Sequence, residues 1–255
     1  MSVRTLGRPL LAALLAGLVA MAPAGARAGD LVVSAASSLT QAFRELAPAF
    51  ESQNPGTRLL LNFGASDALL AQIARGAPAD VFASADQETM DRAEADRRLV
   101  PGTRRDFAGN ALVVVTPAGG PPLKSLADLQ RPEVRRIALG NPSGVPAGRY
   151  ARAALEAARL WTVLEPKAVF AQNVRQALDY VARGEVEAGF VYASDAAAQG
   201  DKVRIALAVA TPTPIRYPIA VVADGPNPQA ARRFVDFVRS PEAQAMLARH
   251  GFTKP

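Results

Sequence analysis

The chain has 255 residues, with 29 basic and 23 acidic side chains, one histidine and no cysteine. The lack of thiols excludes disulfides, thiolate metal sites and cysteine nucleophiles, and a single histidine argues against a zinc site or a Ser-His-Asp triad. The charges alternate in sign along helical stretches instead of forming a basic stripe, which argues against a nucleic-acid partner.

The first 28 residues have the pattern of a secretory signal peptide. An apolar run over residues 10–22 follows two arginines, and the tripeptide Ala26-Arg27-Ala28 lies a few residues beyond it. The run is shorter than the roughly 20 residues that a membrane-spanning helix requires. We therefore expect export of the chain and cleavage near Ala28.

Strand-like runs and helical patterns alternate through most of the remaining chain. The predicted pairs are strand 31–34 with helix 39–52, 58–63 with 66–75, 80–84 with 86–97, 136–140 with 147–161, 169–171 with 173–183, and 187–192 with 194–199, followed by helices 228–239 and 241–250. This alternation predicts an α/β fold with mainly parallel sheets flanked by helices. Pro48 falls inside the first helix and predicts a kink or an early break there.

Two apolar strands, 111–116 and 217–222, stand apart from this alternation and are bounded by prolines and glycines. Two such crossings predict a discontinuous first lobe of residues 29–112 and 217–255, and an inserted second lobe of residues 113–216. We expect the ligand cleft between the lobes, with the two strands paired as a hinge.

Four strand-to-helix junctions carry small or polar residues where the helix begins. They are Ser37-Ser38, Asn62 to Ser66, Gly140 to Gly148, and Gln172-Asn173-Val174. The first N–H groups of a helix lack intrahelical acceptors and lie at the positive end of its dipole, so such a junction can bind an anion without a cationic side chain. A serine at a helix start is also an ordinary N-cap, so it is the repetition in both lobes that favours an anion site.

The common catalytic motifs are missing from the sequence. It contains no Ser-x-x-Lys spacing, no phosphate-binding loop and no dinucleotide fingerprint. The single histidine, His250, lies at the end of the last predicted helix. We therefore predict a binding protein and not an enzyme, with an exported serine hydrolase as the alternative.

The sequence resembles the periplasmic molybdate-binding proteins of ABC importers, a family with the type II periplasmic binding protein fold. The matching stretches are AASSLTQAF, FGASDALLAQI, GAPADVFASADQ, NALVVVTP, VPAGRYARAAL, NVRQAL, FVYASDA, YPIAVV and PEAQAMLARHGF. They cover nearly all of residues 31–252. The resemblance implies a monomeric periplasmic receptor, without a cofactor, that binds molybdate or tungstate and delivers it to a membrane permease.

The resemblance also implies which residues bind the oxyanion. Ser38 and Ser66 would donate through hydroxyl and backbone, Ala147 and Val174 through backbone N–H, and Tyr192 through its phenol. No side chain would coordinate the metal atom directly. For Tyr192, a core aromatic at a strand end is the alternative interpretation.

Asp67, directly after Ser66, departs from the small polar residue that is frequent there in the family. A carboxylate aimed into the site would repel a dianion, so we expect it to point outward from the first helical turn. A site that offers only hydrogen-bond donors would exclude hydrogen phosphate, because the proton of that anion needs an acceptor. Sulfate or another tetrahedral oxyanion remains an alternative ligand, and the effector domain of a transcription regulator remains an alternative protein class.

Overall fold

The computed structural model describes residues 29–255, and the predicted signal peptide lies outside these residues. Two five-stranded sheets, each flanked by helices, form the molecule. The predicted α/β fold with two helix-flanked sheets is confirmed. No helix within residues 29–255 has both the length and the apolar character needed to cross a bilayer.

The first sheet is built from both ends of the described chain. Its strands are β1 (Asp30–Ala36), β2 (Arg58–Gly64), β3 (Val81–Ala83), β4 (Arg105–Asn110) and β10 (Ile215–Val221) in the order β2-β1-β3-β10-β4. Its helices are α1 (Thr40–Gln53), α2 (Ser66–Ala74), α3 (Gln87–Ala95), α8 (Pro228–Phe237) and α9 (Pro241–Arg249). β1 pairs in parallel with β2 and β3, whereas β10 runs antiparallel to both of its neighbours.

The second sheet repeats this arrangement with the middle of the chain. Its strands are β5 (Leu112–Pro117), β6 (Ile137–Gly140), β7 (Ala168–Ala171), β8 (Ala188–Tyr192) and β9 (Val203–Val209) in the order β7-β6-β8-β5-β9. Its helices are α4 (Pro146–Ala157), α5 (Trp161–Leu164), α6 (Val174–Ala182) and α7 (Ala193–Ala197). Here β5 is the antiparallel strand, paired with β8 and β9.

The chain passes from the first sheet to the second at Ala111 and returns through residues 210–214. The predicted hinge pairing of 111–116 with 217–222 is wrong, because β5 pairs with β8 and β9 while β10 pairs with β3 and β4. Each of these apolar strands is buried inside its own sheet, where both of its edges are already hydrogen-bonded. The division into lobes at the predicted boundaries stays a prediction.

Two strands, β4 and β9, were not predicted from the sequence. Both lie at a sheet edge and pair with one neighbour only, β4 with β10 and β9 with β5. The β4 segment, RDFAGN, contains a single large apolar residue. Its conformation therefore depends on the ladder with β10, which no local pattern reports.

Two predicted helices differ from the observed ones. The helix predicted over 147–161 ends at Ala157, because Arg159 adopts a left-handed φ of 59° before α5 begins. Helix α1 continues through Pro48 to Gln53 without the early break. Pro48 is exposed, and so is Arg44 one turn earlier, so water can satisfy the Arg44 carbonyl that loses its partner.

A line of buried aromatic rings connects the cores of the two sheets. Phe43 packs against Phe107 with a centroid distance of 5.9 Å, and Phe107 lies 6.4 Å from Tyr217. Tyr217 in turn packs against Tyr192 of β8 at 5.7 Å. These contacts fix the two tyrosines side by side where the sheets meet.

Candidate functional site

A small pocket lies where helices of the two sheets face each other. Its wall contains all five residues implied to bind the oxyanion: Ser38, Ser66, Ala147, Val174 and Tyr192. The other lining residues are Ala36, Ser37, Gly64, Ala65, Ala85, Val145 and Pro146. The structure therefore brings the five residues together, two from the first sheet and three from the second.

The size and lining of the pocket restrict what can occupy it. The cavity enclosed by the lining atoms measures only about 10 Å³, and none of the lining residues carries a charge. A cavity of roughly 10–15 Å³ is the minimum that holds one water-sized guest, whereas pockets for drug-sized molecules measure roughly 300–1,000 Å³. The pocket therefore suits a small inorganic ion and is too small for a nucleotide.

The first sheet contributes two serines at strand-to-helix junctions. Ser38 lies in a single 3-10 turn that joins β1 to α1, and its Oγ is 2.9 Å from the Tyr217 hydroxyl oxygen. Ser66 is the first residue of α2, and its Oγ accepts the backbone N–H of Ala85 at 3.0 Å. Both serines are buried, so their remaining hydrogen-bonding capacity faces the pocket or stays unused.

The second sheet contributes two helix N-termini with free N–H groups. Ala147 is the second residue of α4, after Pro146, and Val174 is the first residue of α6. Neither backbone N–H has an acceptor within the described residues. A Cβ at position 148 would lie 2.0 Å from the Gly140 carbonyl oxygen, so only glycine lets α4 begin this close to β6.

Tyr192 closes the pocket from the end of β8. It is 1 % exposed, and its ring packs edge-on against Tyr217 and Tyr150. Its hydroxyl is buried and has no hydrogen-bond partner among residues 29–255. Burial raises the pKa of this phenol well above its usual value, so the group remains a donor. Buried polar groups are nearly always paired, so this hydroxyl is a donor that a group in the pocket could use.

The charged residues nearest to the pocket are paired with one another. The Asp67 carboxylate contacts Arg149 of α4, with 2.8 Å between Oδ2 and Nη2, and also pairs with Arg92. The same Arg149 nitrogen lies 2.6 Å from Asp86 Oδ2. Asp67 is not among the residues that line the pocket, and its carboxylate is turned toward Arg149 and not into the pocket.

The structure offers no support for the alternative of a serine hydrolase. His250, the single histidine, contacts Glu45 with 2.6 Å between Nε2 and Oε2, and neither residue lines the pocket. Among residues 29–255, no group of three or more His, Cys, Asp or Glu side chains is arranged to hold a metal ion.

Several residues near the pocket were not identified from the sequence. Tyr217 and Asn110 contact each other behind Ser38, and Arg149 pairs with carboxylates from the other sheet. Tyr217 lies in an apolar strand, where a buried tyrosine is usually read as core. The one available signal is that its hydroxyl needs a partner once the strand is buried.

Comparison with known proteins identifies a family whose model covers nearly all of the described residues. Residues 31–253 match a family described as bacterial extracellular solute-binding protein. The chain is 38 % identical over 231 residues to the molybdate-binding protein ModA of Escherichia coli (strain K12), covering 88 % of this chain and 89 % of that protein. It is 37 % identical over 255 residues to ModA of Mycobacterium tuberculosis (strain ATCC 25618 / H37Rv), covering 96 % and 95 %.

Solved structures show the same architecture. The periplasmic molybdate-binding protein of Azotobacter vinelandii matches with a TM-score of 0.77 and 26 % identity, covering 88 % of this chain and 99 % of that chain. The sulfate-binding protein SubI of Mycobacterium tuberculosis H37Rv matches with a TM-score of 0.75 and 21 % identity, covering 88 % and 86 %, and at that identity supports the fold alone. The family match over residues 31–253 includes all the residues that line the pocket.

Proposed function

Because the chain belongs to the family of bacterial extracellular solute-binding proteins, we propose that it captures molybdate between its two sheets and delivers it to the permease of an ABC importer. Relatives that are 38 % and 37 % identical over most of both chains carry the name molybdate-binding protein. Membership of a solute-binding family also confirms the prediction that the chain is a binding protein and not an enzyme.

The observation that carries this proposal is the Tyr192 hydroxyl. It is buried without a partner in the described chain, and it shares one pocket wall with Ser38, Ser66, Ala147 and Val174. All five can donate a hydrogen bond, and they come from both sheets. A compact oxyanion with four oxygens would accept donors from both sides at once.

The binding would use neutral donors only. Hydrogen bonds to a charged group contribute about 1.5 to 3 kcal/mol each, so five of them give roughly 8 to 15 kcal/mol before ordering costs. Micromolar to nanomolar affinity requires roughly 8 to 12 kcal/mol. The partial positive charges at the starts of α2, α4 and α6 add to this attraction, since Ser66, Ala147 and Val174 lie in the first turns of these helices.

Selectivity would follow from donors and size together. Hydrogen phosphate at neutral pH carries a proton that needs an acceptor, and the pocket wall presents no carboxylate. Molybdate, tungstate and sulfate are fully deprotonated and need donors only. The metal–oxygen bonds of molybdate and tungstate are longer than the S–O bonds of sulfate. A pocket of the matching size would therefore favour these two anions over sulfate and would bind tungstate as well as molybdate.

The pattern of residues 1–28 suits an exported protein whose signal peptide is removed near Ala28. We place the mature protein in the periplasm as a monomer that closes on its ligand and docks on a membrane permease. N-terminal sequencing of the secreted protein tests the cleavage site, and a chain beginning far from Gly29 would contradict it.

The experiment that tests the ligand is calorimetric titration of the mature protein with molybdate, tungstate, sulfate and phosphate. We expect tight binding of the first two anions, weak or no binding of sulfate and none of phosphate. Calorimetry is preferable to fluorescence because Trp161, the single tryptophan, lies in α5 and does not line the pocket. Equal affinity for sulfate would overturn the assignment of molybdate.

The variant Ser38→Ala tests the role of the first junction. Loss of one hydrogen bond to the anion is expected to weaken molybdate binding by about 1 to 3 kcal/mol, or roughly 5- to 150-fold. Ser52→Ala is the matched control, because Ser52 is exposed near the end of α1 and bonds only the Ala49 carbonyl. Equal affinity of the two variants would remove Ser38 from the site.

A further inference from the structure

Tyr217 forms a buried contact directly behind the pocket wall. Its hydroxyl oxygen lies 2.9 Å from Ser38 Oγ, and both side chains are buried. Distance alone does not say which hydroxyl donates. The answer matters, because a serine that donates to Tyr217 would present only lone pairs to the pocket.

Asn110 decides this direction. Its Oδ1 accepts the backbone N–H of Ala111 at 2.9 Å. A backbone N–H can only donate, so the amide oxygen must face Ala111 and the Nδ2 group must face the other way. That nitrogen lies 3.3 Å from the Tyr217 hydroxyl oxygen and 2.8 Å from Ser194 Oγ, so Tyr217 receives a hydrogen bond.

The proton of Tyr217 then has one destination. Burial raises the pKa of this phenol well above its usual value, so the hydroxyl keeps its proton. Asn110 Nδ2 cannot accept it, and Ser38 Oγ is the one acceptor within hydrogen-bonding distance among residues 29–255. Because buried donors are nearly always satisfied, Tyr217 donates to Ser38. The Ser38 O–H is thereby left to point into the pocket.

The second serine of the pocket is oriented in the same way. The backbone N–H of Ala85 donates to Ser66 Oγ at 3.0 Å, which occupies a lone pair and leaves the Ser66 O–H free to donate. Two unrelated donors, a phenol and a backbone amide, thus act on the two hydroxyls of the wall. Both contacts turn a group that could accept or donate into a donor.

We propose that Tyr217, held by Asn110, is a positioning residue that orients the Ser38 hydroxyl as a donor and so sets the selectivity of the site against oxyanions that carry a proton. This inference rests on the proposed function. It adds that the exclusion of hydrogen phosphate depends on a chain of hydrogen bonds from Ala111 through Asn110 and Tyr217 to Ser38. The chain begins at the residue where the polypeptide crosses between the sheets.

The variant Tyr217→Phe removes the donor and keeps the ring, which packs against Phe107, Tyr192 and Phe252. We expect molybdate affinity to fall about three- to tenfold. The phosphate dissociation constant divided by the molybdate dissociation constant should decrease by a similar factor, because selectivity is lost. Tyr150→Phe is the matched control, since it removes a hydroxyl from a third ring of the same cluster that makes no hydrogen bond in the described chain. It is expected to keep affinity within about twofold.

The variant Asn110→Asp tests the direction of the chain. A carboxylate cannot donate to Tyr217, so the phenol would donate to the carboxylate and Ser38 would donate to the phenol. Ser38 would then present lone pairs to the pocket. We expect at least a tenfold loss of molybdate affinity and measurable binding of phosphate, both by calorimetry.

Both substitutions are repeated in the Ser38→Ala variant. This separates an effect that acts through the Ser38 hydroxyl from the effect of the negative charge that Asn110→Asp introduces and from misfolding. If Tyr217 acts through Ser38, Tyr217→Phe has no further effect on molybdate affinity in Ser38→Ala, and Asn110→Asp loses its gain in phosphate binding. The inference would be overturned if Tyr217→Phe kept wild-type affinity and selectivity. It would also be overturned if Tyr217→Phe lowered molybdate affinity by the same factor in the wild type and in Ser38→Ala. Failure of the wild-type protein to bind molybdate would instead overturn the proposed function.

Discussion

Asp195 lies next to the pocket residue Tyr192 and is fully buried in the first turn of α7. Its Oδ2 accepts the Tyr192 backbone N–H at 3.2 Å, and its Oδ1 lies 3.7 Å from Arg175 Nη2. Burial raises the pKa of this carboxyl to about 6, although Arg175 and the Tyr192 N–H act in the opposite direction. The residue therefore holds Tyr192 in place at a cost in stability when it is charged.

This raised pKa predicts a pH dependence of stability. A carboxyl whose pKa is higher in the folded than in the unfolded state stabilises the fold at low pH, and this contribution is lost as the pH rises from about 4 to about 6. A shift of about two pKa units corresponds to on the order of 3 kcal/mol. In Asp195→Asn this loss is absent, so the unfolding free energy of the variant minus that of the wild type should increase by this amount between pH 4 and pH 7. Denaturant unfolding at both values measures it, and a constant difference would contradict the assigned pKa.

At the level of elements, α4 connects the two halves of the molecule. The helix packs on β6 and β8, yet its Arg149 side chain reaches Asp67 of α2 and Asp86 before α3. Thr89 also lies 2.9 Å from the same guanidinium nitrogen. These contacts join the start of α4, which carries Ala147, to the start of α2, which carries Ser66. They also neutralise the Asp67 charge close to the pocket.

Replacement of Arg149 by methionine should therefore open the molecule. The variant keeps much of the apolar stem but leaves the little-exposed Asp86 carboxylate without its cationic partner and Asp67 with Arg92 alone, which is costly. We expect molybdate affinity to fall at least about tenfold and the radius of gyration with molybdate to increase in solution scattering. Arg152→Met is the control, because Arg152 lies exposed on the same helix and contacts Glu156 and the ring of Trp161, neither of which lines the pocket. If both variants bind molybdate equally, the contacts of Arg149 with Asp67 and Asp86 do not hold the two halves together.

At the scale of the whole molecule, the chain crosses from the first sheet to the second and back, and residues from both sheets therefore line one pocket. The first sheet receives its antiparallel strand β10 from the end of the chain, and the second receives β5 directly after β4. Each sheet then places its strand-to-helix junctions at one edge, and these edges meet at the pocket. Under the proposed function, a ligand held between them would contact both halves and so stabilise the folded state as a unit.

This predicts a rise in thermal stability on binding. At a molybdate concentration one hundred times the dissociation constant, binding stabilises the fold by about 2.7 kcal/mol. For a chain of this length each kcal/mol raises the melting temperature by roughly 2 to 4 °C, so we expect roughly 5 to 10 °C in a thermal melt. Ser38→Ala should shift less at the same concentration, and phosphate should not shift the wild type. A shift of the same size with phosphate would contradict a selective site.

Much of the fold and site could be predicted because the signals are local. Strand runs followed by helical patterns predicted the α/β fold, and the five residues named through the resemblance, Ser38, Ser66, Ala147, Val174 and Tyr192, line one pocket, while their binding of the oxyanion stays a prediction. A helix N-terminus carries its free N–H groups wherever it forms, so donors can be read from short stretches. The edge strand β4 was missed because its ladder with β10, and not its own largely polar residues, stabilises it, whereas the β9 segment VRIALAV is rich in apolar residues and carried a local signal of its own.

By itself, the sequence determined the α/β class, the absence of thiol chemistry, and the small and polar residues where the helices begin, because these depend on composition and on neighbours along the chain. Only the tertiary structure decided which groups meet. Ser38 and Tyr217 are 179 positions apart, and Arg149 and Asp67 are 82 apart. Such contacts depend on how the two sheets exchange their strands, and a local pattern carries no record of a partner that the chain reaches only after it has folded.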